Sequence, residues 1–199
     1  MNVISKEVAD TFCKLCKWTY VAWITHKSLF DKNTNPEGTI GKIPYFTETL
    51  SKITQEYCLL QICKLHDPAK QRGSTNLTID YMVRFGDWGS QAKGIKAIQK
   101  RLSALWDQLK RDCVRNKILT HNDLQTSVNN SPLGAFPEGF DDQYFQALQD
   151  FVNAVYDKWL GGPCPFDDLA ESDVKEFLEL LEGIRGTPNY ANRVAPRRT

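Results

Sequence analysis

The chain has 199 residues, a formal net charge of +1, 41% apolar residues and 25% charged residues. That allows one domain with a real core and is ordinary for a soluble protein. No apolar run is long enough to cross a bilayer, and Met1 to Glu7 shows no apolar stretch behind a basic head, so a cytoplasmic protein with no membrane association is expected.

The first helical pattern runs from about Val3 to Phe30, studded with Phe12, Leu15, Tyr20, Trp23 and Ile24, with Trp18 adding an edge. Asn33-Thr34-Asn35-Pro36-Glu37-Gly38 is turn chemistry and ends it. The second runs from about Pro44 to His66, where Phe46, Leu50, Ile53, Tyr57 and Leu60 recur at spacings of four and three. Pro44 suits a first turn, and Asp67-Pro68 closes the helix because a residue before proline leaves the helical region. A loop from Lys70 to Ser74 and a short helical segment from Asn76 to Phe85 follow.

The third long helix spans about Gln91 to Leu119, with Ile95, Ile98, Leu102, Leu105 and Leu109 as its buried stripe. Residues 124–139 are rich in Ser, Asn, Pro and Gly, and read as a functional lid or a mobile loop. The fourth helix covers about Asp141 to Leu160, with Phe145, Leu148, Phe151, Val152 and Val155 inward. Gly161-Gly162-Pro163-Cys164-Pro165 breaks it, and Ser172 is expected to cap a last helix from Asp173 to Arg185. No strand is expected. The fold class is all-α, an up-and-down bundle of four main helices with appended short helices. Residues 1–160 form the bundle, 161–186 a linker and appended helix, and 187–199 a flexible tail.

Cys13, Cys16, Cys58, Cys63, Cys113 and Cys164 sit mostly among apolar residues, where a reduced thiol acts as a small hydrophobe. Cys13-Lys14-Leu15-Cys16 lacks a second ligand pair, so no metal and no cofactor is expected. Charge is unevenly spread. Residues 93–117 carry eight basic side chains against Asp107 and Asp112, a net +6, whereas residues 138–183 are net −10. A polyanion partner for the basic segment and mutual neutralisation within the fold both account for this.

Arg115-Asn116-Lys117-Ile118-Leu119-Thr120-His121-Asn122-Asp123 lies where the third helix should run out. A guanidinium suits a phosphate in two-point contact, and an imidazole titrates near neutral pH. Together they suggest phosphodiester chemistry without a metal. The competing reading is a helix C-terminus finished with basic residues. On an unbroken helix the six steps from Arg115 to His121 advance about 600°, leaving the side chains roughly 120° apart, so they converge only if the helix ends or tightens between them. His66 beside Asp67 reads as a helix-end cap. The five tryptophans read as core or dimer interface rather than as base-stacking platforms.

With the helices placed, the chain resembles the HEPN superfamily (higher eukaryotes and prokaryotes nucleotide-binding), whose hallmark is an Arg, a polar residue and a His four to six residues after the Arg. The likeness is closest to HEPN proteins of the abortive-infection AbiU type. Leu65-His66-Asp67-Pro68 matches their Leu-x-Asp-Pro element, and Arg115 to Asp123 matches their Arg-Asn-Lys…His-x-Asp run. The resemblance covers about residues 8–160.

It implies a HEPN bundle acting as a homodimeric, metal-independent endoribonuclease in antiphage defence or as a toxin, with RNA as substrate and a regulatory or antitoxin protein as a further partner. Arg115, His121 and Asn116 would be catalytic. Lys110, Arg111 and Lys117 would contact the RNA backbone, with Asp123 and Asp67 as supporting carboxylates behind them. Where one HEPN branch carries a modifiable tyrosine two residues past the His, this chain has Asp123, so that mode of control is not supported. The alternatives are a non-catalytic HEPN domain that binds RNA or a partner protein, and a helical adaptor.

Overall fold

The computed structural model describes residues 4–112 and 139–183. Six α-helices carry the chain: α1 Lys6–His26, α2 Pro44–Leu65, α3 Ile79–Phe85, α4 Ala92–Asp112, α5 Phe140–Trp159 and α6 Leu169–Gly183. The fold is all-α. The expected continuation of the third helix to Leu119, the 124–139 loop up to residue 138, Cys113 and the tail lie outside the described residues.

The chain divides into two compact units. One comprises Met1–Trp23 and Thr54–Asp167, the other Ile24–Ile53 and Asp168–Thr199. In the first, the aromatic residues foreseen on α1 and α5 meet. Phe12 and Phe151 pack edge to face with centroids 5.7 Å apart, and Trp23 stacks on Phe145 at 4.3 Å. Phe12, Leu148, Phe151, Val152 and Val155 are wholly buried. On α4, Ile95, Leu102, Trp106 and Leu109 are buried while Ile98 and Leu105 are only half-buried. Helix α5 ends at Trp159, and Gly161 just beyond its cap has a φ of +87°, a conformation that residues with side chains disfavour.

In the second unit, Lys32 pairs with Glu171 at 2.8 Å. The Lys42 ammonium donates to the Leu181 and Glu182 carbonyls of α6, which a helix C-terminus leaves without intrahelical partners.

Several expectations are corrected. The first helix does not run evenly to Phe30. It ends at His26 and widens into a π-turn over Lys27–Asp31, closed by the Lys32 amide on the Lys27 carbonyl at 2.8 Å. On α2 the stripe expected inside is largely outside: Phe46, Ile53 and Tyr57 are exposed, and Cys58, Leu59, Ile62, Cys63 and Leu65 are buried instead. Apolar residues fall on more than one side of this helix, so periodicity gives its winding but not its inward face. Leu15 is likewise exposed.

Two short strands do occur. Lys70 pairs with Thr75 and Gln71 with Ser74 across Arg72-Gly73, both with positive φ, as a two-residue hairpin turn of type I′ requires. Ser172 does not cap the last helix. It lies inside α6, donating its amide to the Asp168 carbonyl at 3.0 Å. The helix starts at Leu169, a turn earlier. Phe177 and Leu180 on that helix are exposed.

Candidate functional site

Helix α4 is the approach to the Arg115–His121 segment. Its stripe of Ile95, Leu102, Trp106 and Leu109 faces the core, which leaves Lys93, Lys96 and Lys100 exposed. Arg101 pairs with Asp150 of α5 at 2.9 Å. The acidic helix thus neutralises one of these four basic side chains. Lys93, Lys96 and Lys100 make no ion pair among the described residues. Lys110 and Arg111 fall in the last turn of α4. Arg115, Asn116, Lys117, His121 and Asp123 lie outside the described residues.

The Leu65-His66-Asp67-Pro68 element is described in full, and three helices hold it. Leu65 and Ala69 are buried. The Ala69 amide donates to the Asp80 carboxylate of α3 at 3.0 Å, and Arg84 steadies that carboxylate at 2.7 Å. The Asn76 side-chain amide donates to the Pro68 carbonyl at 3.0 Å. Thr78 caps α3, accepting the Tyr81 amide at 3.2 Å.

His66 turns inward rather than capping α2. Its Nε2 lies 3.0 Å from the hydroxyl of Tyr144 on α5, and its ring stacks on Trp106 of α4, 4.9 Å between centroids and 11° between planes. Sequence reasoning missed this cluster. The available signal was Tyr144 itself, on the buried side of α5, because a buried phenol needs a hydrogen-bond partner. Asp67 is half-buried and lines an open cavity of about 330 Å³ with Lys64, Gln61 and Asn76.

Burial keeps the thiols of Cys13, Cys16 and Cys58 and the phenol of Tyr144 protonated. Desolvation pushes Cys13 up to about 12, and raises Cys16, Cys58 and Tyr144 above their ordinary values. None of these thiols is therefore a ready nucleophile at neutral pH. Among the described residues no group of His, Cys, Asp and Glu could hold a metal ion, and no helix is long and apolar enough to cross a membrane. In the second unit a cavity of about 450 Å³ is lined by Ser28, Asn33, Lys32 and Glu171, the last two paired with each other.

These features define an all-α protein whose Leu-x-Asp-Pro turn is pinned against the helix that leads into an Arg…His segment. The AbiU2 family of HEPN domains matches residues 5–180, and the chain belongs to that family. No curated protein and no solved structure matches the chain.

Proposed function

We propose that the protein is a metal-independent endoribonuclease of HEPN type, acting in abortive infection or as a toxin, with a composite Arg/His site at the interface of a homodimer. The observation that carries this reading is the family match over residues 5–180, which takes in Arg115 to Asp123. RNA brings its own nucleophile. The 2′-hydroxyl attacks the adjacent phosphorus, and the 5′-oxygen leaves. His121 takes the hydroxyl proton or protonates the leaving oxygen. Arg115 stabilises charge gathering on the phosphorane, and Asn116 orients the imidazole or the phosphate.

Lys110, Arg111 and Lys117 neutralise flanking phosphates, with Asp67 and Asp123 as supporting carboxylates. The exposed lysines of α4 support an RNA partner. A two-fold axis would supply each catalytic group twice. Exposed Tyr45, Phe46 and Ile53 on α2 are apolar surface of the kind that self-association covers.

Purified protein incubated with mixed-sequence RNA should yield products ending in a cyclic phosphate, unaffected by EDTA. A 2′-deoxy substitution at the cut site should block cleavage, and His121→Ala should abolish it. RNA left intact under all conditions, with a salt-sensitive affinity, would replace this reading with the non-catalytic RNA-binding one. Light scattering at micromolar concentration should report a dimer, and a strict monomer even with RNA present would remove the composite site.

A further inference from the structure

The first unit carries an aromatic pair that packing does not use. The Trp18 indole on α1 donates to the Tyr57 hydroxyl on α2 at 2.6 Å, which satisfies both polar tips. The two residues nevertheless remain 55% and 37% exposed. Trp23, Trp88 and Trp106 in the same unit are buried. The cavity of about 330 Å³ begins one helical turn away. Leu15 and Gln61, three and four residues from Trp18 and Tyr57, line it, and Lys64 follows on the next turn of the same face of α2. Asn76 and Asp67 are also in its wall.

We propose that this face binds one unpaired base of a single-stranded RNA. The base stacks on the Trp18–Tyr57 platform and turns its edge into the cavity, and Lys64 meets the neighbouring phosphate. Each part of the surface matches one part of a nucleotide. Exposed π-faces stack on bases of any sequence. The Gln61 amide offers a donor and an acceptor to a base edge. The volume lies in the range of small-ligand sites. A protein partner would cover the aromatic rings equally well but has no matching use for an amide-lined cavity with a lysine in its wall. The inference rests on the proposed RNA reading, yet it concerns binding at a surface that shares only the supporting carboxylate Asp67 with the proposed ribonuclease site.

The test titrates the full-length His121→Ala protein with a ten-nucleotide single-stranded RNA and with the same RNA as a duplex, reading tryptophan fluorescence. The single strand should quench the emission, because Trp18 is the exposed indole of this unit, and the duplex should quench it far less because its bases are already stacked. Trp18→Ala should abolish the quench and weaken binding about tenfold by anisotropy. Tyr57→Phe should bind like the parent, since it keeps the ring, and Tyr57→Ala should not. Binding unchanged in Trp18→Ala, or equal quenching by single strand and duplex, overturns the inference. Loss of RNA cleavage in His121→Ala with unchanged binding in Trp18→Ala would leave the ribonuclease reading standing alone. Quenching by RNA that the native protein does not cut would leave this site standing alone.

Discussion

The His66–Tyr144 contact gives an asymmetric prediction. Tyr144 is wholly buried and His66 half-buried, with 3.0 Å between Nε2 and the hydroxyl. Tyr144→Phe removes one hydrogen bond and leaves an imidazole that water reaches, so it should cost about 1 kcal/mol. His66→Ala strands the Tyr144 hydroxyl in the core, a desolvation cost of about 1–3 kcal/mol. It also removes the stack on Trp106, worth about 0.5–1.5 kcal/mol. The single change should therefore cost about 2–4 kcal/mol. Introducing His66→Ala into Tyr144→Phe leaves no stranded hydroxyl and should be cheaper than in the parent by about 1 kcal/mol or more. Urea unfolding followed by tryptophan fluorescence and far-ultraviolet circular dichroism measures all four proteins. If His66→Ala costs the same in both backgrounds to within about 0.3 kcal/mol, the two groups are not coupled and the pinning of the Asp-Pro turn through this pair is wrong.

Other expectations follow from the same structure. Thr78→Ala removes the side-chain acceptor at the start of α3 and should lower stability by about 1 kcal/mol in urea. Arg115→Lys should not restore the cleavage that Arg115→Ala loses, because an ammonium lacks the bidentate fork; full activity in a gel-based cleavage assay would contradict the role given to Arg115. Stability should fall as pH rises above about 9. The thiols of Cys13, Cys16 and Cys58 have folded values above their unfolded ones, so the unfolded chain releases those protons first. Each contributes a loss of up to about 1.4 kcal/mol per pH unit, and Cys13→Ala should flatten the fall in urea midpoints between pH 8 and 10.

The helices were legible because the chain writes them locally. Apolar residues recur at helical spacing on α4 and α5, and Pro44, Asp67-Pro68 and Gly161-Gly162 punctuate the chain, so the described ends of α2, α4 and α5 fell within a residue or two of expectation, whereas α1, α3 and α6 differ by three or four at one end or both. The family was legible for a similar reason: Leu65 to Pro68 and Arg115 to Asp123 are short runs that keep their order along the chain. What could not be read depends on partners far away in sequence. Helix α2 is apolar on more than one side, and only its neighbours decide that Ile62 is buried while Ile53 is exposed. His66 had every local reason to cap a helix, and it turns inward because α5 places a buried phenol 3.0 Å from its ring, 78 residues along the chain. Trp18 and Tyr57 are both aromatic, as core residues are, and only the packing of α1 beside α2 shows that their rings remain in solvent. Periodicity and turn chemistry are properties of a segment. Which face is covered, and which polar tip finds a partner, are properties of the pair of segments that meet, and tertiary structure alone supplies them.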